Sequence, residues 1–362
     1  MPINTCSWKE GLWLSKEINS TEIAKLAGVS RSTVSRVINN YANVPEKTKQ
    51  KVMKVIQQYN YYPNLSAQVL AGKRTRTIGL FMIDSGRVSG DSLSSLLLAR
   101  IIDSASSHGY YVLTHIVRDM KEQEETRAIK ESFYQRRIDG GVFIGAANHE
   151  PLIEELIAEG FMVAIVDQHL PGRSEPNRVV FNFDNETGVG QAIDYLVSLG
   201  HKRIGMINGD MNRYSGPSKW RGFQAAMSRH HLPLVSQWML PGDFNEESGY
   251  HAIKEFMKTK TELPSAIFAA NDSVAFGAIR ALKESGIRVP QDISVMGFDD
   301  HILSAHYSPA LTTIRVDFAD MMDKLTKTLI NSIENGSETF QTFAVSTELV
   351  VRHSCQSVTA ES

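Results

Sequence analysis

Apolar residues recur three and four positions apart in three stretches between residues 19 and 60. The members are Ile23, Ala24, Leu26 and Ala27; Val34, Val37 and Ile38; and Val52, Val55 and Ile56. This spacing predicts three short amphipathic helices. Asn19 and Glu22 have the spacing of a capping box before the first helix, and Gly28 suits its end. Two helices joined by a tight glycine-containing turn predict a helix-turn-helix head.

From Thr77 onward the pattern changes to short β-branched runs that alternate with helical stretches. The runs cover 77–83, 110–117, 140–146, 161–166, 178–181, 203–207, 265–270 and 293–298, with helices such as 186–199 and 273–285 between them. Alternation of strand and helix predicts an α/β fold with parallel sheets. About 280 residues of this pattern are too many for one sheet, so we expect two lobes.

Polar residues follow several of the predicted strands. They are Asp84, Asp167, Asn208, Asn271 with Asp272, and Asp299 with Asp300. Ligands of open α/β sheets bind beyond the carboxyl ends of the strands, so these residues predict a small-molecule cleft between two lobes. The alternative for each residue is that it merely caps the helix that follows.

Composition excludes several classes of protein. Apolar residues make up 42% and charged residues 22% of the 362 positions, as in ordinary globular chains. No apolar run is long enough to span a membrane, and charged residues interrupt the N-terminal segment where a secretory signal would need an apolar core. Two cysteines, Cys6 and Cys355, are too few for a disulfide framework. We therefore expect a cytoplasmic protein with no metal site and no cofactor.

Charge is distributed unevenly along the chain. Residues 1–76 hold 12 Lys and Arg against 4 Asp and Glu, a net +8, whereas the remainder holds 26 against 36, a net −10. A small basic unit on an acidic body indicates a partner that is a polyanion. The alternative is a basic surface that is simply solvated.

Motifs in series then suggest a family. The segment from Glu22 to Asn39, Tyr61-Tyr-Pro-Asn64 and Ala71-Gly-Lys73 resemble the LacI/GalR family of bacterial transcription regulators. So do Ala270-Asn-Asp272, Val295 to Asp300, Leu311 to Ile314 and Thr347 to Arg352. The resemblance implies a helix-turn-helix head, a hinge helix and a two-lobed core similar to periplasmic sugar-binding proteins. It implies a sequence-specific repressor whose operator affinity is controlled by a small molecule, a carbohydrate or a derivative.

The resemblance and the patterns together predict the domain organisation. We expect residues 1–18 to form an N-terminal extension without fixed structure, 19–63 the DNA-binding head, and 64–76 the hinge helix and linker. Residues 77–356 form the effector-binding and dimerisation domain. Its lobes are expected to comprise 77–181 with 318–345, and 182–317 with 346–356.

The second helix is the expected recognition helix. Its first side chains, Arg31 and Ser32, with Arg36 one turn later, are placed to contact base edges in the major groove. Phosphate contacts suit four further residues: Ser30, Thr33, Ser35 and Asn39. In the hinge, the resemblance implies that Leu70 wedges into the minor groove, with Ala67 and Asn64 on the same face and Tyr61 on the DNA backbone. The alternative for the arginines is solvated helix surface.

Candidate ligand contacts come mostly from the resemblance. It implies that Phe244 stacks on a sugar ring and that Asn271 and Asp299 bind ligand hydroxyl groups. Asp167 and Asp84 are included because each follows a predicted strand. Lys219 takes the place of an arginine that is usual in the family, and Arg221 follows two residues later.

That replacement leaves one alternative open. Lysine is a point charge and lacks the bidentate fork of arginine. Some family members that respond mainly to a protein partner also have lysine at this position. A regulator of the same fold driven by a protein corepressor is therefore the main alternative to a small-molecule effector.

Assembly and the remaining alternatives follow from the same motifs. Two heads related by a twofold axis predict a homodimer on a near-palindromic operator. Residues 353–362 are polar and lack the leucine heptads that tetrameric members of the family carry. A sugar-binding transport protein would need a signal peptide and no head. The chain lacks the motifs of a hydrolase or a dehydrogenase, so we expect no enzyme activity.

Overall fold

A computed structural model describes residues 18–62, 69, 72–83, 92–259 and 262–358. The chain divides into two compact units, with the boundary between Arg74 and Thr75. Three groups of predicted features lie outside the described residues: the extension over 1–17, most of the expected hinge helix with Asn64, Ala67 and Leu70, and Asp84.

The first unit contains three helices, α1 (Ser20–Ala27), α2 (Arg31–Ile38) and α3 (Glu46–Gln58). The predicted capping box is confirmed: Asn19 Oδ1 accepts from the Glu22 amide at 3.1 Å, and the Glu22 carboxylate accepts from the Asn19 amide. Gly28 ends α1 in the left-handed region, with φ of 59°. The three helices enclose a small core of Ile23, Ala24, Ala27, Val34, Val37 and Val52.

The second unit contains two parallel sheets. The first sheet consists of β1 (Thr77–Ile83), β2 (Tyr111–Val117), β3 (Gly140–Ile144), β4 (Val163–Val166), β5 (Arg178–Phe183) and β11 (Gln341–Val345). The second consists of β6 (Ile204–Ile207), β7 (Met239–Leu240), β8 (Ala266–Ala269) and β9 (Ser294–Met296). A separate antiparallel pair is formed by β10 (Thr313–Val316) and β12 (Thr347–Val350).

Helices connect the strands and cover the sheets. They are α4 (Ser92–Ser107), α5 (Gln123–Tyr134), α6 (Pro151–Ala158), α7 (Asn185–Ser198), α8 (Ser215–Arg229), α9 (Glu246–Lys258), α10 (Asp272–Glu284) and α11 (Phe318–Asn335). We call the first sheet with α4, α5, α6 and α11 lobe A. The second sheet with α7, α8, α9 and α10 is lobe B.

The strand order places a crevice at the edge of each sheet. In lobe A the order is β11-β5-β4-β3-β1-β2, so the connection from β1 to β2 runs towards one edge of the sheet and the connections from β3 to β5 run towards the other edge. The strand order therefore reverses between β1 and β3. There Leu80 lies opposite Val142 of β3 and Thr114 of β2. In lobe B the order is β7-β6-β8-β9, with the reversal between β6 and β8. Such reversal points are where open α/β sheets bind ligands.

Hydrophobic packing fixes both lobes. The faces of the lobe A sheet are covered by separate apolar clusters, one with Leu97, Ile101 and Leu325 from the helices α4 and α11, and one with Phe133 and Leu156. In lobe B the helices α9 and α10 approach each other closely at Gly277. A Cβ at this position would lie 1.9 Å from the Glu246 carbonyl oxygen, so the approach requires glycine. Within the described part of the chain, no helix has the length and apolarity needed to cross a membrane.

Candidate functional site

Helix α2 rests on its apolar side and exposes its polar side. Val34 and Val37 are buried in the head, whereas Arg31, Ser32, Ser35 and Arg36 are exposed. Positions 32, 35 and 36 share one face because residues three and four apart are neighbours on a helix. The residues that the sequence assigned to base contacts therefore lie together on an open surface.

Several residues around α2 also stabilise the helix itself. Ser30 Oγ accepts from the Thr33 amide at 3.1 Å and caps the start of α2. Asn39 ends the helix, and its side-chain amide donates to Ser35 Oγ at 3.3 Å. The Asn39 oxygen accepts from the Lys73 ammonium group. Tyr61 is half-buried against the core of the head.

The head carries an excess of positive charge. Residues 18–62 carry seven Lys and Arg and only two glutamates, Glu22 and Glu46. Within the part of the chain that the structure describes, neither Arg31 nor Arg36 forms an ion pair; Arg31 Nε donates to Ser20 Oγ at 3.1 Å. Both guanidinium groups can therefore bind phosphate or guanine without first breaking a salt bridge.

A cavity of about 870 Å³ lies between lobe A and lobe B. Its lining includes the carboxyl ends of strands from both sheets: Ile83, Ile144, Gly145 and Asp167 from lobe A, and Phe244, Asn271 and Asp299 from lobe B. Lys219 on α8 also lines it. The structure thus brings together five of the predicted ligand residues: Asp167, Lys219, Phe244, Asn271 and Asp299.

Asn271 holds the aromatic ring in place. Its Oδ1 accepts from the Val274 amide at 2.9 Å and caps α10, while its Nδ2 donates to the Phe244 carbonyl at 2.8 Å. Phe244 has a positive φ of 42°, which is uncommon for a bulky residue. Asn271 therefore caps a helix, as the alternative proposed, and also fixes the backbone that carries the ring.

Lys219 is almost fully buried. Its Nζ donates to the Ala270 carbonyl at 2.7 Å and lies 3.7 Å from the centre of the Phe298 ring and 5.4 Å from that of Phe244. Burial lowers the pKa of Lys219, and the negative charges of Asp299 and Asp167 oppose this effect. The Lys219 amine therefore lies in a site that excludes much of the water, and the two nearby carboxylates favour its charged form.

Asp167 joins the two lobes. Its carboxylate accepts from Ser215 Oγ at 2.6 Å and from the Ser215 amide at 3.2 Å, at the first residue of α8. Burial raises the pKa of Asp167, although the hydrogen bonds from Ser215 act in the opposite direction. The Asn148 amide also donates across the lobes to the Asn212 carbonyl at 2.8 Å. These contacts hold the lobes together beside the cavity.

Comparison with known proteins identifies this combination. Residues 21–64 match the family model "Bacterial regulatory proteins, lacI family", and residues 193–355 match "Periplasmic binding protein-like domain". The HTH-type transcriptional repressor PurR of Haemophilus influenzae (strain PittEE) is 31% identical over 343 residues, covering 93% of this chain and 98% of PurR. The chain belongs to the lacI family of bacterial regulatory proteins.

Other lacI-family relatives extend along the same length. The regulator DegA of Bacillus subtilis (strain 168) is 34% identical over 337 residues, covering 92% of this chain and 96% of DegA. The lac repressor dimer bound to operator and the anti-inducer ONPF has a TM-score of 0.79 at 27% identity, over 94% of this chain and 99% of that one. A complex of the transcriptional regulator CelR with cellobiose has a TM-score of 0.71 at 26% identity, over 93% and 99%.

Membership of the lacI family decides several predictions. The predicted fold, a helix-turn-helix head with a two-lobed periplasmic-binding-protein-like core, is confirmed. The chain is a DNA-binding regulator of transcription, and the expectation that it is not an enzyme is confirmed on the same ground.

One predicted ligand residue, Arg221, lies apart from the others. Arg221 does not line the cavity that contains Lys219; its Nε donates to Glu186 Oε1 at 2.9 Å on an exposed surface. The reason is helical geometry, since two residues correspond to about 200° of rotation and the two side chains leave opposite sides of α8.

Sequence reasoning missed Arg213 and Ser215. Both line the cavity, and Arg213 Nη2 also donates across the lobes to the Ile83 carbonyl at 3.2 Å. They lie in the loop after β6 and at the start of α8, where no periodicity or motif marks them. Only the contacts between the lobes indicate their importance.

Proposed function

We propose that this lacI-family regulator is a repressor that binds a near-palindromic operator as a homodimer, with an affinity set by a carbohydrate or a derivative in the cavity between its lobes. The observation that carries the proposal is that one chain combines an exposed basic recognition helix with an interlobe cavity at strand ends. The lac repressor neighbour is a dimer bound to operator, which supports the same assembly here.

The operator contacts follow from side-chain chemistry. Arg31 and Arg36 donate in pairs to guanine O6 and N7, and Ser32 adapts to either base, so this group supplies sequence preference. Ser30, Thr33, Ser35 and Asn39 contact phosphates and fix the register of the helix. Tyr61 adds a backbone contact. Asn64, Ala67 and Leu70, outside the described residues, form the minor-groove contact of the hinge at 64–76.

The cavity suits a ligand rich in hydroxyl groups. Asp299 supplies an acceptor for such groups, and Phe244 supplies a flat apolar surface for the carbon face of a sugar ring. Asp84 is a further candidate acceptor outside the described residues. The CelR neighbour holds cellobiose, which supports the carbohydrate class.

Control of DNA affinity works through linkage. A ligand that contacts both lobes favours the lobe arrangement that it binds best, and operator favours the arrangement that suits a dimer of heads. The Asp167–Ser215 contact is one of the bonds that such a change would alter. The coupling free energy is about 1–3 kcal/mol, which corresponds to about a 5- to 150-fold change in affinity.

Domain limits and location complete the proposal. Residues 19–63 act as the head, 64–76 as the hinge, and 77–356 as the effector and dimerisation domain. Because the target is operator DNA, the protein acts in the cytoplasm.

The test is selection of operator sequences from random DNA with the full chain. A near-palindrome whose binding changes with one member of a panel of mono- and disaccharides supports the proposal. An asymmetric single half-site would contradict the dimer, and a palindrome indifferent to every sugar would contradict the effector class.

A protein corepressor is the second candidate, and the lysine at position 219 favours it. Its Nζ already donates to the Ala270 carbonyl, which leaves it fewer hydrogen bonds for sugar hydroxyl groups than an arginine fork would have. Operator binding that responds to a soluble protein fraction but to none of the sugars would favour this candidate.

A further inference from the structure

A second cavity lies between the lobes, on the other side of the Arg213 side chain from the effector cavity. Its volume is about 690 Å³, within the range of small-molecule sites. Lobe A contributes the loops after β3 and β4, including Asn148 and His169, and lobe B contributes the segment from Met211 to Arg221. Arg213 lines both cavities, whereas the other lining residues differ.

The lining of this second cavity is basic. Two arginines, Arg213 and Arg221, and two histidines, His149 and His169, line it, and among the residues that the structure describes no aspartate or glutamate does. Carboxylates beside these residues are engaged: Asp210 accepts from the Asn212 amide at 2.8 Å, and Glu186 pairs with Arg221. Asp167, whose pKa is raised by burial and lowered by the charge of Arg213, accepts from Ser215 Oγ. Such a surface attracts oxyanions.

The arginine and histidine side chains of this lining have few polar contacts of their own. Within the described ranges, Arg213 has no ion pair, and its one hydrogen bond goes to the Ile83 carbonyl. The rings of His149 and His169 form no hydrogen bond with the residues that the structure describes. The Arg221–Glu186 pair is about half exposed on each side, and pairs of this kind contribute little stability. A ligand oxyanion can therefore bind Arg221 together with Glu186, or take the place of Glu186.

We propose that this second cavity is a site for a small phosphate ester, bound by Arg213 and Arg221 and distinct from the effector cavity. Two arginines and two imidazoles favour a phosphate dianion over a single carboxylate, because both arginines can donate in pairs to its oxygens. Because both lobes line the site, its occupancy is coupled to the lobe arrangement, and Arg213 provides direct contact with the effector cavity.

The chain offers a matched control for the test. Arg221 and Arg229 lie on the same helix, α8, and pair with Glu186 and Asp194 on α7 at 2.9 and 2.6 Å. Both arginines are about half exposed, but Arg229 does not line the second cavity. Removing either arginine changes the net charge by the same amount and breaks the same kind of salt bridge.

The experiment is calorimetric titration of the full chain with glucose 6-phosphate at constant ionic strength, with glucose and glucuronate as parallel ligands. We expect Arg221→Gln to weaken glucose 6-phosphate binding about tenfold. Glu186→Gln should strengthen it, since the competing carboxylate is removed. Arg229→Gln should leave it unchanged, with thermal unfolding confirming that every variant folds.

Several results would overturn the proposal. One is binding of glucose 6-phosphate without saturation. Another is an equal loss of affinity in Arg221→Gln and Arg229→Gln, as a general charge effect would produce. Loss in Phe244→Ala with Arg221→Gln unaffected would place the anion in the effector cavity. Tighter binding of glucuronate with the same variant pattern would keep the oxyanion site and overturn the phosphate assignment. None of these results depends on operator binding, so the proposed repressor function is tested separately.

Discussion

The exposed face of α2 and the cavity between the lobes use polar side chains in opposite ways. On α2, Arg36 makes no hydrogen bond or ion pair with other described residues, and Arg31 makes a single hydrogen bond to Ser20. In the cavity, Asp167 and Asn271 already form internal hydrogen bonds that join lobes or cap helices. These arginines on α2 form few contacts within the protein, whereas Asp167 and Asn271 in the cavity also stabilise the fold.

The difference predicts how each region responds to mutation. Substitutions on α2 remove contacts with DNA and leave the head folded, because its core of Ile23, Val34 and Val52 is untouched. Substitutions at the strand ends of lobe B change ligand binding and stability together unless the residue faces only the cavity.

The largest effect is expected at Asp272, which lies beside the cavity but is fully buried. Its carboxylate accepts from the His301 amide at 2.8 Å and from Ser304 Oγ and Thr313 Oγ1, both at 2.5 Å. Asp272→Ala leaves these donors without an acceptor, at about 1–3 kcal/mol each, so unfolding in urea should occur at much lower denaturant. The exposed Asp292→Ala is the control and should lower the urea midpoint far less, because exposed ion pairs contribute little stability; equal losses at the two positions would contradict this prediction.

Asp272 also makes stability depend on pH. Burial raises its pKa from 3.8 to about 6, so the folded protein binds a proton that the unfolded chain has lost between these values. Its contribution is therefore fully present below pH of about 4 and falls by about 3 kcal/mol as pH rises through about 6. The difference in unfolding free energy between wild type and Asp272→Asn should shrink over that interval. A constant difference from pH 4 to 7 would show that the pKa of Asp272 is not raised.

Asp299 should separate ligand response from stability. The residue lines the cavity with a positive φ of 116°, a conformation that asparagine tolerates better than alanine does. Asp299→Asn should therefore keep the fold and lose a coupling of about 1–3 kcal/mol between effector and operator. The neighbouring Asp300 pairs with Arg315 and Arg352 and does not line the cavity, so Asp300→Asn should cost stability and keep the response. The reverse pattern would sink the assignment.

On the head, Arg31→Ala should relax base preference at one position of each half-site by about 1–3 kcal/mol. The readout is selection on randomised half-sites, with circular dichroism to confirm that the head remains helical. An unchanged preference would remove Arg31 from the base-reading set.

Asn39 should show the smallest effect. Asn39→Ala is expected to weaken binding to all sequences alike, by about 1 kcal/mol, because a phosphate contact positions without specifying. Measured affinities for a set of half-site variants should fall in parallel. A change in their rank order would mean that Asn39 reads bases.

Much of the fold could be predicted because its strongest signals are local. The strand β1 begins and ends where its β-branched run does, and the capping box before α1 depends on residues three positions apart. The parallel strands of both lobes appear in the sequence as continuous apolar runs because both faces of each sheet are buried. The predicted runs do not include strands β7, β10, β11 and β12. The strand β11 is a largely exposed edge strand whose partner, β5, lies more than 150 residues earlier.

The cavity could be predicted only in part. Strand ends identified Asp167 and Asp299, and the family resemblance identified Phe244. Neither could show that Asp167 accepts from Ser215 in the other lobe or that Arg213 reaches the Ile83 carbonyl, because those contacts depend on how the lobes pack. Helical geometry alone indicates that Arg221 and Lys219, two residues apart, lie on opposite sides of α8, and Arg221 does not line the cavity that contains Lys219.

The central claim is that one ligand site and one DNA site share a coupling free energy. The direct measurement is operator affinity of the full chain with and without the saturating sugar found by the panel, set against sugar affinity with and without operator. The account predicts that the two ratios are equal and lie between about 5 and 150. Sugar affinity that is the same on and off the operator would contradict it.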